Sequence, residues 1–507
     1  MYENKEMPQG AAVNYTHDAD VIVIGGGFSG IGAGIKLKEA GFSFVILEKA
    51  DDLGGTWRDN TYPGIAVDIT SFTYSFSFEQ NPYWSRLFAP GHELRAYAHH
   101  CVDKYAIRDA FRFGVEVQKA VFDEAEALWQ IEATDGRIWR AKYLITATGG
   151  LTQPKLPDIP GVSEFRGKTM HTARWDHSYD LKNRRVAVIG TGATAVQLVP
   201  SIAPAVQQLH VFQRTPIWIL PKPDREIPQW LQWVFAHVPM AQQSVRNVTT
   251  FLTELVMMLG IVYNKQTPHL IRALEALCIR HLEEQVNDPV LREKLRPHYG
   301  FGCKRPSISN DYLRTFNRSN VELVTDRIER ITPTGIVTAD GRERNIDTLI
   351  LSTGFKVFEK GNTPPFEMFG RNGMELGDFW QKNRYQAYEG ASVPGFPNMF
   401  LIWGPYSASG SSWFAMIEAN VHHALRCLKE ARAKKARFVE ISAEANAAYF
   451  SDILARQQNT VFYNQDCSRS NSYYFDRHGD APFYRPSSGL EMWLRARTFP
   501  LSHYRFA

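Results

Sequence analysis

The 507-residue chain has little excess of charge of either sign, with a formal net charge of +4 and no polybasic run. We therefore exclude a nucleic-acid partner. Cysteine is also scarce: five residues, odd in number and far apart, predict neither a disulfide framework nor a CxxC redox pair. This usage favours a reducing cytoplasm, and no cluster in the sequence predicts a metal site.

Secretory signals and long apolar runs are missing as well. The first twenty residues are polar and acidic, without the basic and apolar regions of a signal peptide. The most apolar stretch, TTFLTELVMMLGIVY from Thr249, is interrupted by Glu254 and is too short for a span of about 20 residues. We expect no membrane span here. We interpret the stretch as a buried helix, with a helix over a hydrophobic tunnel as the alternative.

The clearest motif that is present lies near the N-terminus. A β-branched strand, DVIVI, runs into GGGFSG, where Gly25, Gly27 and Gly30 meet the spacing G-x-G-x-x-G and Ser29 lies between them. A helical pattern follows, and the next strand ends at Glu48, about 20 residues on. The glycines let a pyrophosphate approach the helix N-terminus, and the acid accepts from ribose hydroxyls. This unit predicts a dinucleotide site.

A second unit of the same kind begins at RRVAVIGTGATAVQLVPSIA. Gly190 and Gly192 take the first two glycine positions and Ala195 the third, which the motif permits. The loop residues predicted to contact the phosphates are Thr191, Ala193 and Thr194.

The following strand, QLHVFQR, ends without an acid. Gln213, Arg214 and Thr215 stand there instead, and a guanidinium can hold a 2′-phosphate bidentately, which favours NADP over NAD. The alternative is that Arg214 is only a solvated charge at the end of a strand. Two dinucleotide sites in one chain imply hydride transfer from a nicotinamide to a flavin. We therefore expect FAD in the first site and NADPH in the second, and the missing CxxC argues against a disulfide reductase.

The predicted fold class is α/β, with two Rossmann-like dinucleotide-binding domains, for FAD and NADP, and an inserted helical subdomain. Two further apolar strands, YLITATGG and TLILSTGF, close on Thr-Gly turns. The expected division is an FAD-binding part at 1–150, an NADP-binding part at 151–224, a helical insertion at 225–300, a second NADP-binding part at 301–355, and a linker with return to the FAD-binding domain and an irregular tail at 356–507.

Two longer motifs carry a family resemblance. GGTWRDNTYPGIAVD fits G-x-W-x-x-x-x-Y-P-G-x-x-x-D, and FRGKTMHTARWD fits F-x-G-x-x-x-H-x-x-x-W-[P/D]. With the two glycine motifs they resemble the signatures of class B flavoprotein monooxygenases of the Baeyer–Villiger type, over residues 20 to 425. The fingerprint positions of the second motif are Phe165, Gly167, His171, Trp175 and Asp176. Flavin enzymes that oxygenate amines or sulfides usually differ at the last two.

The resemblance implies that NADPH reduces FAD, that O2 forms a C4a-peroxyflavin, and that a ketone becomes an ester or lactone. It implies that Arg305 stabilises the developing negative charge, that Asp68 orients Arg305, and that Lys304 helps Arg214 to hold the 2′-phosphate. The alternative for Lys304 and Arg305 is that they form only a solvated cationic turn. The alternative for Asp68 is that its side chain caps a local helix or turn. The FAD contacts implied by the family are Thr56, Trp57, Asp68 and Tyr74.

Several alternatives stay open at this stage. N- or S-oxygenation is the first rival function, and a non-catalytic dinucleotide sensor is a remote one. We expect His171 to lie in a linker between the two domains, and we prefer for it a role in coupling domain motion to one in proton transfer. The segment around Tyr406 and the tail CSRSNSYYFDRHGDAPFYRP depart from the family pattern, so we expect both to shape the substrate pocket.

Overall fold

A computed structural model describes residues 15–409 and 412–507. Its strands in chain order are β1 Tyr15–Ile24, β2 Phe44–Leu47, β3 Phe111–Arg112, β4 Val117–Asp123, β5 Leu128–Ala133, β6 Ile138–Thr146, β7 Lys168–His171, β8 Arg185–Ile189, β9 Gln208–Phe212, β10 Ile219–Leu220, β11 Ser307–Ile308, β12 Val321–Val324, β13 Ile328–Ile331, β14 Gly335–Thr338, β15 Glu343–Asn345, β16 Thr348–Leu351, β17 Glu367–Phe369, β18 Met399–Leu401, β19 Val439–Ile441 and β20 Tyr504–Phe506.

The α-helices are α1 Phe28–Glu39, α2 Thr56–Asp59, α3 Gly91–Lys104, α4 Ala193–Ile202, α5 Gln229–His237, α6 Ala241–Met257, α7 Pro268–Gln285, α8 Pro289–Leu295, α9 Tyr312–Thr315, α10 Leu376–Asn383, α11 Trp413–Ala433, α12 Ala443–Gln457, α13 Val461–Asn464 and α14 Gly489–Thr498. A π-helical turn, Met258–Val262, continues α6.

The first sheet contains the N-terminal glycine motif. Its strand order is β17-β4-β5-β6-β1-β2-β3, with β18 also paired to β6. Strand β1 lies parallel to both β2 and β6. Because β1 is covered on both faces, Val21, Ile22 and Val23 are fully buried. The β1-α1-β2 unit therefore has the parallel arrangement that the sequence predicts.

The second sheet contains the other glycine motif. Its order is β12-β9-β8-β16-β7, and every neighbouring pair is parallel. Val186, Ala187 and Val188 of β8 are fully buried, and α4 connects β8 to β9. One mixed sheet, in which β4–β5 and β5–β6 are antiparallel, and one parallel sheet each contain a strand–glycine turn–helix unit, which confirms the predicted fold class.

Four helices, α5 to α8, lie within the predicted insertion at 225–300. The expectation of a buried helix at Thr249 is wrong. By length and composition Ala241–Val262 could cross a membrane, yet only 22% of its apolar window is buried. Large apolar side chains of α6, such as Phe251 at 66% exposure, face solvent. Hydropathy predicts the helix correctly but not the direction in which its apolar side faces.

The C-terminal region also differs from the expectation. The tail contains helix α14 and strand β20, which pairs antiparallel with β19, so it is only partly irregular. The cysteine expectation is wrong as well, because a disulfide joins Cys303 to Cys467 across 164 residues of sequence. Cys101, Cys278 and Cys427 are free and buried. The two adjoining cysteines place the start of the tail beside Lys304 and Arg305.

Candidate functional site

A cavity of about 1720 Å³ opens between the two sheets. Ligand pockets commonly have volumes of about 300–1,000 Å³, so this space can hold more than one small molecule. Both glycine turns line it, as do most of the predicted site residues: Gly25, Gly27, Ser29, Glu48, Thr56, Trp57, Asp68, Tyr74, Gly190, Thr191, Gly192, Ala193, Thr194, Arg214, Thr215, Lys304 and Arg305. The fold therefore brings together residues that are distant in sequence.

The first glycine turn is shaped by close backbone contacts. A Cβ added at Gly30 would lie 1.9 Å from the carbonyl oxygen of Gly25, so only glycine fits where α1 packs on the turn. Gly25 has φ +113, a conformation that favours glycine. The helix begins after Gly27, without a side-chain cap among the described residues. Its free N–H groups face the cavity and suit an anion.

Glu48 directly follows β2 at the edge of this turn and is 6% exposed. Its Oε2 accepts from the backbone N–H of Gly26 at 2.7 Å, and its Oε1 accepts from Ala50 N–H at 2.9 Å. Arg58 lies 3.8 Å from the same carboxylate. These contacts hold the acid at the cavity wall, at the position the motif assigns to the ribose.

The second glycine turn repeats this construction. A Cβ at Gly190 would lie 2.3 Å from the carbonyl oxygen of Ser352, whereas a Cβ at Gly192 would meet no described atom within 4 Å. Gly192 precedes α4 and, within the described residues, receives no side-chain cap. The space beside it opens into the cavity, so this helix N-terminus can also receive a phosphate.

Two cations meet beside the second turn. Arg214 follows β9 and is exposed, and Lys304 lines the same cavity. Burial and the positive charge of Arg214 lower the pKa of Lys304 to about 8. Neither cation forms an ion pair within the described ranges. Two neighbouring cations without an acidic partner are suited to a phosphate group.

Arg305 and Asp68 form a two-point ion pair. Arg305 Nε donates to Asp68 Oδ2 at 2.9 Å, and Nη2 donates to Oδ1 at 2.7 Å. The two side chains are 35% and 29% exposed, on the cavity wall. The carboxylate of Asp68 holds the pKa of Arg305 well above its ordinary value. The guanidinium is thus oriented and charged at any working pH.

Aromatic side chains close the wall near this pair. Trp57 Nε1 donates to the hydroxyl of Tyr74 at 3.1 Å, and their rings meet edge to face at 5.6 Å. Burial raises the pKa of Tyr74 above its ordinary value. Tyr74 is therefore a neutral hydroxyl at the cavity wall, and its orientation is fixed by Trp57.

The first long motif also joins the two sheets, which the sequence did not predict. Gln197, on α4, accepts from the Tyr62 hydroxyl at 2.9 Å and donates to the carbonyl of Ala66 at 2.9 Å. A Cβ at Gly64 would lie 2.2 Å from Ser201 Oγ, so the YPG turn packs directly on α4. Gln197 lines the cavity but carries no motif signal of its own.

The fingerprint segment lies apart from the cavity lining. Its strand β7 is the edge strand of the second sheet, paired with β16. His171 is 7% exposed, and its Nδ1 accepts from Ala173 N–H at 3.1 Å. Burial lowers the pKa of His171, which favours a neutral ring. A Cβ at Gly167 would lie 2.5 Å from both the Asp347 carbonyl oxygen and the Phe165 ring. These contacts make the segment part of the sheet edge.

Two more fingerprint residues and two motif residues also lie outside the lining. Asp176 forms an ion pair with Lys168, and Trp175 packs against the core of the second sheet. Gly30 and Ala195 lie behind their turns, where α1 and α4 pack.

The C-terminal tail covers the cavity from the side of the second sheet. Asn471 Nδ2 donates to Thr215 Oγ1 at 2.7 Å. Tyr473, Phe483 and Tyr484 line the cavity near Arg305. Sequence reasoning expected this region to shape a pocket but singled out no residue of the tail, because its weak periodicity carries no pattern. Tyr406, also expected there, is buried and lies outside the lining.

The comparisons with known proteins agree with this geometry. Residues 22–238 match the family model described as pyridine nucleotide-disulphide oxidoreductase. A protein of Pseudomonas aeruginosa named Baeyer-Villiger monooxygenase is 40% identical over 449 residues, which cover 88% of this chain and 84% of the relative. A protein of the same name from Streptomyces coelicolor is 36% identical over 489 residues, covering 96% and 92%.

Solved structures of similar shape cover nearly the whole chain. A closed crystal structure of cyclohexanone monooxygenase has a TM-score of 0.85 and 29% identity, covering 97% of this chain and 99% of its own. The crystal structure of OTEMO in complex with FAD and NADP has a TM-score of 0.84 and 26% identity, covering 96% and 99%. Two dinucleotides therefore occur together in a chain of this fold.

Proposed function

Since the chain belongs to the Baeyer–Villiger monooxygenase family, we propose that it uses FAD, NADPH and O2 to convert ketones to esters or lactones. The observation that carries the proposal is the placement of the Arg305–Asp68 pair in the same cavity as two uncapped glycine turns. Such a cavity can hold two cofactors and a substrate against one fixed positive charge.

The residues of the first turn fit FAD. The N-terminus of α1 is open to an anion, and Glu48 is held where a ribose would lie. Thr56, Trp57 and Tyr74 line the adjoining wall and supply the flavin contacts that we propose. Bound FAD would supply hydride acceptance from NADPH and activation of O2, with one oxygen atom inserted beside the ketone carbonyl and the other released as water.

The residues of the second turn fit NADPH. The N-terminus of α4 is open, and Gly192 leaves room for the pyrophosphate. Arg214 and Lys304 bind the 2′-phosphate in our proposal, and Thr215 lies beside them. This phosphate distinguishes NADPH from NADH, so the two cations set the cofactor preference.

Arg305 and Asp68 carry the proposed catalytic roles. Negative charge accumulates on oxygen during ester formation, and a preoriented guanidinium on the cavity wall stabilises it. Asp68 acts through Arg305, because its two hydrogen bonds fix the plane of the guanidinium. We therefore assign Arg305 as the catalytic residue and Asp68 as a positioning residue.

The walls around Arg305 favour an apolar ketone. Trp403, Trp413, Phe483 and Tyr484 line the cavity, and Phe358 stacks on Trp403 at 5.1 Å. These rings offer apolar area and exclude water from the reacting oxygen.

The experiment is a product analysis of the purified protein. Flavin absorbance is recorded, and the protein is then incubated with NADPH, O2 and separate panels of cyclic, aryl and long-chain ketones, thioethers and amines. Ester or lactone formation is the expected outcome. If sulfoxide or N-oxide is the sole product, the protein is an S- or N-oxygenating enzyme and the proposal is wrong. A colourless protein without turnover would also contradict the proposal.

We also propose a cytoplasmic location, because the reaction consumes NADPH, which cells keep reduced in that compartment. There the Cys303–Cys467 bond is expected to be reduced to thiols. Cells are quenched and denatured in the presence of an alkylating agent, so that Cys101, Cys278 and Cys427, which are buried in the fold, also react. Mass spectrometry should then find five modified cysteines, and a persistent disulfide would contradict the location.

A further inference from the structure

Helix α6 turns polar side chains towards the protein interior and apolar side chains towards solvent. Its buried residues are Gln242 and Arg246. Arg246 Nη1 donates to the carbonyls of Phe72 at 2.8 Å and Ser75 at 3.0 Å, and Gln242 Nε2 donates to the carbonyl of Asn81 at 2.6 Å. A helix of a soluble protein normally turns its apolar stripe inwards. Here hydrogen bonds fix the polar side inwards.

The outward side of α6 is apolar. Val248, Phe251, Leu252, Leu255 and Val256 recur at helical spacing and are between 43% and 66% exposed. This stripe has no covering element within the described part of the chain. An exposed run of large apolar side chains costs free energy in water, so it indicates a contact with something apolar.

Two neighbouring helices extend the stripe. Glu254 of α6 accepts from the backbone N–H of Gly489 at 2.9 Å, so α14 begins beside α6. Leu490, Trp493 and Leu494 of α14 are exposed, at 66%, 47% and 44%. Helix α5 also packs against α6, and its Trp230 and Trp233 are exposed. The apolar face, as we define it, comprises Trp230, Trp233, Val248, Phe251, Leu252, Leu255, Val256, Leu490, Trp493 and Leu494.

Cations without acidic partners adjoin the apolar face. The Arg497 guanidinium lies 3.9 Å from the centre of the Trp493 ring, and α14 packs against α11, which carries Arg426 and Lys429. Arg426 Nη1 donates to the carbonyl of Phe499, just after α14, at 3.1 Å. Burial and the charges of the three cations lower the pKa of His422 to about 4. None forms an ion pair among the described residues. The charge of Glu418 reaches Arg497, but the Glu418 carboxylate accepts a hydrogen bond from the backbone N–H of Ser77 and forms no ion pair with Arg497.

We propose that the apolar face rests on the surface of a lipid bilayer that contains anionic headgroups. Tryptophan, phenylalanine and leucine insert at the boundary between headgroups and acyl chains, and unpaired cations attract anionic lipids. The helix lies on the bilayer and does not cross it, because the hydrogen bonds of Gln242 and Arg246 hold its other side on the protein.

A second copy of the chain is less suited to this face. A two-fold contact pairs the same surface of both copies, so Arg426, Lys429 and Arg497 would face a surface that carries the same three cations. Like charges across an interface are unfavourable. Anionic headgroups, by contrast, neutralise all three.

The position of the face also deepens the proposed function, on which this step rests. A Cβ at Gly489 would lie 3.4 Å from Ser409 Oγ, and Ser409 lines the large cavity. The apolar face therefore adjoins the cavity wall. An apolar ketone dissolved in the bilayer would then meet the protein beside the wall of that cavity.

Vesicle flotation of the full-length holoenzyme tests the docking, independently of turnover. We expect flotation with vesicles of phosphatidylcholine and phosphatidylglycerol, and weaker flotation with phosphatidylcholine alone or at high salt. The triple variant Phe251→Gln, Leu252→Gln, Trp493→Gln should lose about tenfold or more in partitioning, because the removed side chains supply apolar area. Val290→Gln, at an equally exposed position of α8 (64%), is the matched control and should float normally.

A second variant isolates the charge term: Arg426→Gln, Lys429→Gln, Arg497→Gln should abolish the preference for anionic vesicles. Retained flavin and unchanged turnover of a water-soluble ketone show that each variant is folded. No flotation of the native protein, or equal flotation of the triple variant, overturns the proposal. The proposal is also overturned if the native protein sediments as a dimer without lipid and the triple variant sediments as a monomer, because a second copy of the chain then covers the face.

Discussion

Arg305 and Asp68, 237 residues apart in sequence, meet through two parallel hydrogen bonds of 2.7 and 2.9 Å on the wall of the large cavity. The pairing fixes both the direction and the charge of the guanidinium. It also joins a segment of the first glycine unit to the segment that follows the helical insertion. Several measurable consequences follow from this placement.

Replacing Asp68 by Asn keeps the shape of the side chain but removes its charge. The guanidinium then loses one of its two acceptors, so ester formation should fall about 10- to 100-fold, or about 1.4–2.8 kcal/mol. Steady-state kinetics with a fixed ketone measures the loss. Flavin reduction by NADPH is the companion readout and should change little; equal losses in both would show that Asp68 is needed for the fold of the site.

Replacing Arg214 by Ala should weaken the use of NADPH far more than that of NADH. A charged hydrogen bond to phosphate contributes about 1.5–3 kcal/mol, so KM for NADPH should rise about 10- to 150-fold. Arg225→Ala, at an exposed arginine that does not line the cavity, is the matched control. If NADPH and NADH suffer equally, Arg214 does not hold the 2′-phosphate.

Lys304 should make NADPH binding sensitive to alkaline pH. Its pKa is lowered to about 8, and only the charged amine attracts phosphate. Bound phosphate raises that pKa again. Below pH 8 the amine is already charged in the free enzyme, so its titration does not change the affinity for NADPH. Above pH 8 binding must take up a proton, so affinity falls by up to about tenfold per pH unit.

Titration of NADP binding from about pH 7 to about pH 10 measures this, since the 2′-phosphate is already ionised there. Lys304→Arg keeps its charge throughout and should give a flat profile. A slope that persists in Lys304→Arg would assign the titration to another group.

Gly30 and Gly192 should respond differently to the same change to alanine. A Cβ at Gly30 meets the Gly25 carbonyl oxygen at 1.9 Å, so Gly30→Ala should cost about 1–3 kcal/mol in the free energy of unfolding and release FAD. At Gly192 there is room, so Gly192→Ala should fold normally and bind NADPH less well. Thermal unfolding and flavin content distinguish the two. Normal flavin content in Gly30→Ala would contradict the role of that turn.

Local motifs made much of this site predictable. The glycine turns and Glu48 could be identified because strand, turn, helix and strand follow one another within about 30 residues. Arg305 and Asp68 could be named only through the family resemblance, because no local pattern brings them together. Nothing in the periodicity of the tail places Asn471 on Thr215, and a disulfide across 164 residues leaves no signal when cysteines are few.

Two errors have a shared physical cause. Hydropathy places α6 in the interior, but the burial of an apolar stripe depends on which elements surround it. Arg246 finds three acceptors on the protein side, the carbonyls of Phe72 and Ser75 and the Ser75 hydroxyl, and this fixes the orientation of the helix. His171, expected in a linker, ends the edge strand of the second sheet. In both cases the position of the segment depends on packing against residues distant in sequence, which the local pattern does not reveal.

The central claim is that Arg305 acts on the oxygen chemistry and not on cofactor binding. The most direct measurement compares two rates in Arg305→Ala: reduction of the flavin by NADPH without O2, and ester formation from a ketone with O2. We predict that reduction stays within about threefold of the native rate, while ester formation falls by at least about 100-fold. Ester formation at the native rate in this variant would contradict the account.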